Sequence, residues 1–203
     1  MKKLILASNN QKKIKEIKTI LKEMNLEIKS LKDENINIDV IEDGNTFKEN
    51  ATKKASEIRN YLLNRGDSDF IVMADDSGLE VDYLNGEPGI YSARYAGEHG
   101  NDNENNKKLL EKLKGVPMEN RGAKFVCHLT LINSEGKVLD ICGEVEGKII
   151  ESLNGEGGFG YDPLFYYEGF NKTFGEIGAE EKNKVSHRGV ALKKLKDNIF
   201  DML

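Results

Sequence analysis

Phe70-Ile71-Val72-Met73-Ala74-Asp75-Asp76-Ser77-Gly78-Leu79-Glu80-Val81 is the stretch on which the fold turns. Its apolar run at residues 71–74 includes β-branched side chains and reads as a strand buried on both faces, as in a largely parallel sheet. Two carboxylates, Asp75 and Asp76, follow at once. Ser77-Gly78 behind them is a turn signal, so the strand is expected to stop on its acids. That places negative charge at the rim of a sheet, where open α/β sheets put their ligands. Successive strand residues point to opposite faces, so Asp75 and Asp76 cannot both face one ligand if the chain runs straight through. One is expected to meet the ligand and the other to support it, within a metal or general-base site. A strand cap with an Asx turn is the simpler alternative.

Working back from this strand, residues 3–7 form a short apolar strand broken by Ser8-Asn9-Asn10. Residues 11–24 then set Ile14, Ile17, Leu21 and Met24 on one helical face, with Lys12, Lys13, Lys15, Lys18 and Lys22 around it. Strand, polar turn and helix are half of a βαβ unit. The helix N-terminus beside Lys12-Lys13 reads either as a phosphate site or as a plain N-cap by Ser8 or Asn10. Residues 26–31 make a second strand and residues 33–45 an acidic loop holding Glu42 and Asp43. Thr46-Phe47-Lys48-Glu49 has capping-box form, opening a helix that runs to Leu63 with Phe47, Ala51, Ala55, Ile58 and Leu62 inward. Glu49 is thereby a cap. Glu42 has no such structural job.

Working forward, Asn85-Gly86-Glu87-Pro88-Gly89 is a turn-rich loop and residues 103–113 a helix with Leu109, Leu110 and Leu113 inward. Residues 123–133 and 137–150 alternate as a hairpin around Ser134-Glu135. With those two residues as the loop, Cys127 and Cys142 fall opposite one another. His128 has no acid nearby in sequence and reads as structural. Gly155-Glu156-Gly157-Gly158-Phe159-Gly160-Tyr161-Asp162-Pro163 lets backbone pass close to a ligand, with aromatics set between the glycines, and reads as a binding loop. A polar helix at residues 176–184 precedes Val185-Ser186-His187-Arg188-Gly189, and Leu192, Leu195, Ile199 and Leu203 line the last helix. With Ser186 as N-cap, His187 and Arg188 oppose the helix dipole, so they answer to a ligand's acceptors.

The 203 residues carry 30 Lys+Arg against 35 Asp+Glu, a net charge of −5, which argues against a general nucleic-acid coat but leaves room for a small basic phosphate pocket. No apolar run approaches the length of a membrane span or of a signal-peptide core, so a cytoplasmic protein with no membrane partner is expected. Cys127 and Cys142 make no metal framework and are expected to be reduced. The chain is expected to form a single domain over residues 1–203, with no linker and no internal repeat.

Six segments in order carry a resemblance. They are Ser8-Asn9-Asn10-Gln11-Lys12-Lys13, Thr46-Phe47-Lys48-Glu49-Asn50-Ala51, Ala74-Asp75-Asp76-Ser77-Gly78-Leu79, Pro88-Gly89-Ile90-Tyr91-Ser92-Ala93-Arg94, Gly157-Gly158-Phe159-Gly160-Tyr161-Asp162-Pro163 and Ser186-His187-Arg188-Gly189. Over nearly its whole length the chain resembles the inosine triphosphate pyrophosphatase family, house-cleaning enzymes for non-standard purine nucleotides. The resemblance implies an α/β fold, an elongated mixed sheet with flanking helices and two lobes around a nucleotide cleft. It implies Mg²⁺-dependent hydrolysis of ITP, dITP or XTP to the monophosphate and pyrophosphate, by a homodimer. The phosphate-binding segment maps onto Ser8, Asn9, Asn10, Gln11, Lys12 and Lys13, and the catalytic base, also a metal ligand, onto Asp76. Ser77 maps as a substrate contact and Glu42 as the second metal ligand, although many members have two acids where this chain has Ile41-Glu42. The nucleoside-binding residues map onto Phe159, Gly160, Tyr161, Asp162, Lys182, His187 and Arg188.

The chemistry read from the residues agrees. A triphosphate needs a hard cation with oxygen ligands, here Glu42 and Asp76 with Asp75 as a further candidate. It also needs a carboxylate base and cations for its charge, here Lys12, Lys13 and Lys182. The nearest rival is a septum-inhibitor-like pyrophosphatase, whose Ser-x-Ser-Pro-Arg-Arg opening differs from Ser8-Asn9-Asn10-Gln11-Lys12-Lys13. A nucleotide sensor that binds without cutting is a second, disfavoured by the intact Asp75-Asp76. A redox or metal-storage protein is a third, disfavoured by the scarcity of Cys and His.

Overall fold

The computed structural model describes residues 1–203. Its elements are β1 (Lys2–Leu6), α1 (Gln11–Leu21), β2 (Leu26–Ser30), α2 (Phe47–Arg65), β3 (Phe70–Val81), α3 (Asp102–Lys112), β4 (Gly122–Asn133), β5 (Val138–Ile149), β6 (Phe165–Tyr167), β7 (Lys172–Thr173), α4 (Ala179–Val185) and α5 (His187–Asn198). The strands form a mixed sheet in the order β2-β1-β3-β4-β5-β6-β7. β1 runs parallel to β2 and β3, with Leu4 in register with Ile28 and Ile71. β6 is antiparallel to both β5 and β7. No helix is long and apolar enough to cross a membrane.

The chain folds as two compact units. The first comprises residues 1–76, 127–143 and 191–203, the second residues 77–126 and 144–190. In the first unit the strands are covered on both faces. Leu4, Leu6, Ile71 and Met73 pack with α1 and α5 through Ile14, Ile17, Leu192 and Leu195. Their neighbours Ile5, Phe70, Val72 and Ala74 pack with α2 through Ala51, Ala55, Ile58 and Leu62. This two-sided burial is why the central run is continuously apolar instead of alternating. The second unit has its own core of Leu79, Val81, Leu109, Phe125, Phe165 and Phe174.

Two expectations change. The central strand does not stop on its acids. It runs on through Ser77 and Gly78 because Leu79 and Val81, both 0 % exposed, anchor its far end in the second core. The hairpin loop is three residues long, not two: Gly136 turns in the left-handed region at φ 92°, and the Asn133 N–H reaches the Lys137 carbonyl at 3.1 Å. The register therefore differs from the expected one, and a one-residue slip exchanges faces. Cys127 lies with Leu129, Leu131 and Ile141 in one apolar cluster, whereas Thr130 and Asp140 meet on the opposite face, to which even-numbered Cys142 belongs. The two thiols are not cross-strand neighbours. On that second face His128 does have an acid, Asp140 of the facing strand, at 3.3 Å.

Candidate active site

Because β3 runs straight through, its two acids leave on opposite faces. Asp75, 3 % exposed, is held at one oxygen by Lys13 Nζ at 2.7 Å and at the other by the Cys127 thiol, which donates at 3.2 Å. Asp76, 6 % exposed, faces α2, where Asn50 Nδ2 donates to its Oδ2 at 3.0 Å. Asn50 is itself fixed from behind: its Oδ1 accepts the Gly44 N–H at 2.8 Å. A Cβ on Gly44 would lie 2.7 Å from that oxygen, so the loop can approach here only as glycine.

Lys54, one helical turn beyond Asn50 on α2, links the two acidic residues of β3. Its ammonium donates to the Asp75 carbonyl at 2.7 Å, bonds the Glu42 carboxylate, and lies 3.8 Å from Asp76 Oδ1. Burial pushes the Asp76 carboxyl above the usual carboxylate range; Lys54 and Lys13 pull it back and the Glu42 charge adds to the rise. Glu42 and Asp76 thus form a pair of hard oxygen donors whose mutual repulsion already draws an ammonium between them. Such a pair fits Mg²⁺, which binds through one or two carboxylates and leaves its other positions to water and phosphate oxygens. No third His, Cys, Asp or Glu gathers with them.

At the start of α1 the cap is Asn10, whose Oδ1 accepts the amides of Lys12 and Lys13 at 3.0 and 3.1 Å. Ser8 Oγ accepts the Asn10 N–H, and Gln11 donates to the Asn9 carbonyl. The N-cap alternative describes this segment, in which Asn9, Asn10, Gln11 and Lys12 are exposed and Ser8 and Lys13 half-buried.

The second unit holds the other candidate residues. Asp162 Oδ2 accepts the Phe159 N–H at 2.8 Å and Lys182 Nζ at 2.7 Å. The Lys182 ammonium stands 4.6 Å over the Phe159 ring, and the Arg188 guanidinium 6.0 Å from it. Ser186 caps α5 as expected, its Oγ accepting the Gly189 N–H at 3.1 Å. Arg188 then reaches Ser77 Oγ at 2.9 Å, the residue that follows Asp76 in the chain. His187 stacks on Phe125 at 4.7 Å. Tyr161 turns into the core, where burial raises its phenol and its hydroxyl donates to the Ser92 carbonyl at 2.7 Å. Phe159, Asp162, Lys182 and Arg188 are therefore brought together, and Tyr161 serves behind them.

Sequence reasoning missed Asn50 and Lys54. Asn50 had a visible signal: a polar residue at 0 % exposure on the stripe of Phe47, Ala51 and Ala55. An amide on an apolar stripe must find partners, and here they are Gly44 and Asp76. Lys54, four residues on, is the next position facing the same way.

The profile of the Ham1 family matches residues 4–198. A dITP/XTP pyrophosphatase of Clostridium perfringens is 61 % identical over 203 residues, covering 100 % of both chains. The Ham1 protein of Staphylococcus aureus superposes with a TM-score of 0.86 at 40 % identity over 100 % of each chain. A nucleoside-triphosphatase / dITP/XTP pyrophosphatase of Mycobacterium abscessus does so at 0.75 and 42 % identity, over 95 % of this chain and 98 % of its own. With the mixed sheet, the opposed acids of β3 and a match across nearly the full length, the chain belongs to the Ham1 family.

Proposed function

We propose that the protein hydrolyses non-standard purine nucleoside triphosphates (ITP, dITP and XTP) to the monophosphate and pyrophosphate, with Mg²⁺. The observation that carries this is the division of labour on β3: Asp75 is engaged by Lys13 and Cys127, while Asp76 is buried beside Glu42 with a raised proton affinity. A carboxylate so raised is a better base near neutral pH. Asp76 takes a proton from the attacking water as the new P–O bond forms and the anhydride bond between the α and β phosphates breaks. Pyrophosphate leaves. When bound at Glu42 and Asp76, Mg²⁺ supplies positive charge for the phosphate oxygens. Lys12, Lys13 and Lys54 add ammonium charge for the same oxygens.

Phe159 supplies the stacking face, and Arg188, always a donor, favours purines with an acceptor oxygen at position 6 over adenine, whose amino group would face it donor to donor. The test is pyrophosphate release from ITP, XTP, GTP, ATP and dTTP with Mg²⁺. ITP and XTP are expected to lead; equal turnover of ATP or dTTP would overturn the reading. Heavy-oxygen water in the same assay locates the attacked phosphorus. The reading extends to a cytoplasmic homodimer, and light scattering tests its mass.

A further inference from the structure

Helix α3 buries two adjacent amides, Asn105 at 2 % and Asn106 at 4 % exposure, which only specific partners can justify. Asn105 accepts the Ala96 N–H at 2.7 Å and donates to the Ala93 carbonyl at 3.3 Å. Asn106 does something different: its Nδ2 donates to the Gly160 carbonyl at 2.9 Å. One turn earlier, Asp102 Oδ2 accepts the Gly160 N–H, also at 2.9 Å. Both polar groups of one loop glycine are thereby gripped by side chains on a single helix face.

The helix is a firm support for such a grip. Asn101 caps its first turn through the Glu104 N–H at 3.2 Å. The buried Arg121 binds the Leu113 and Val116 carbonyls just past its last turn, at 2.7 and 2.9 Å. Leu109 and Leu113 anchor it in the core.

Gly160 follows Phe159, whose own N–H is held by Asp162. The amides on both sides of Phe159 are therefore fixed, one from Asp162 and one from Asp102, which leaves its φ and ψ little freedom and sets the direction in which its side chain leaves the backbone. Gly160 itself sits at φ 60°, a conformation that glycine adopts without cost. We propose that Asp102 and Asn106 are positioning residues that clamp Gly160 and so set the purine-stacking face of Phe159. This rests on the assignment of Phe159 to the base under the proposed function.

The experiment compares Phe159→Ala with Asp102→Ala, Asn106→Ala and Asp102→Asn, the last three also combined with Phe159→Ala. Steady-state hydrolysis of ITP with Mg²⁺ is measured beside inhibition by inorganic tripolyphosphate, which has no base. Losing one clamp bond is expected to raise KM for ITP about tenfold with a smaller change in kcat. Inhibition by tripolyphosphate stays at the wild-type level. Asp102→Asn retains an acceptor oxygen for the Gly160 N–H and is expected to keep KM near wild type, which a loss of general stability would not explain. In the Phe159→Ala background the clamp substitutions add nothing, since no ring is left to position. The clamp is overturned if KM is unmoved in both alanine variants while Phe159→Ala raises it. It is overturned equally if tripolyphosphate inhibition weakens in step with ITP. A Phe159→Ala enzyme with unchanged KM for ITP would instead remove the base assignment itself.

Discussion

The two units use lysine in opposite ways. In the first, Lys13 and Lys54, part-exposed at 15 % and 13 %, are shared among three acids: Glu42, Asp75 and Asp76. Negative groups outnumber positive ones, and the Lys54 ammonium lies between two carboxylates. In the second, Lys182 pairs with Asp162 at 4 % and 3 % exposure, with the Phe159 ring against the lysine. Moving that lysine would take the paired ammonium from a buried carboxylate. A cluster with surplus carboxylates can take up a cation and turn its lysines to phosphates; a matched pair holds a shape. In the proposed function the first would serve a changing charge and the second a constant surface for a base.

Substitutions can break or sharpen this contrast. Asp76→Asn keeps the size but cannot take a proton, and turnover is expected to fall about 10²–10⁴-fold with the fold intact by circular dichroism. If Asp75→Asn shows that loss and Asp76→Asn does not, the roles of the two faces are reversed. Lys182→Met breaks the matched pair and is expected to cost about 3–5 kcal/mol in urea unfolding, with part recovered by adding Asp162→Asn. A cost below about 1 kcal/mol would place this pair with exchangeable surface ones. Arg188→Ala is expected to narrow the ratio of ITP to ATP turnover by about tenfold to a hundredfold. An unchanged ratio would assign Arg188 to its bond with Ser77 alone.

The smallest effect lies away from the site, at Asp140. Burial raises its carboxyl, but bonds from Thr130, Lys48 and His128 outweigh this and the net is downward. A carboxyl lowered in the folded state stabilises above its unfolded value, about 3.9, and ceases to as pH falls through the folded one. Asp140→Asn is expected to cost about 1 kcal/mol at pH 7, with the difference from wild type shrinking below pH ~3.9. A difference independent of pH would mean that Asp140 acts by packing.

Much of the scaffold was legible because periodicity is a local property. Ile14, Ile17 and Leu21 gave α1, and Phe47, Ala51, Ala55, Ile58 and Leu62 gave α2. The opposition of Asp75 and Asp76 needed only the pleat of a strand. The continuation of β3 past Ser77-Gly78 was not legible, because it depends on a distant core receiving Leu79 and Val81, and tertiary burial overrides a turn propensity. His128 lacked an acid in sequence for a similar reason: its Asp140 arrives only when the hairpin closes with the right loop. The α1 terminus shows a further limit. Asn10 was legible as a cap, but a capping side chain and a phosphate compete for the same amides, and sequence cannot rank them.

The Gly44–Asn50–Asp76 chain selects an atom as well as a residue. The Gly44 N–H can only donate, so Asn50 must present its oxygen there and its NH₂ to Asp76. Asp76 Oδ2 thereby accepts from Asn50, so in the proposed base role the proton from water would go to Oδ1, the oxygen turned toward Lys54. Two chemically equivalent oxygens become inequivalent through a backbone amide two bonds of the network away. For the base proposed at Asp76, a glycine in the loop before α2 would thus set the stereochemistry of proton transfer: from which side of the carboxylate, and along which lone pair, the water is deprotonated.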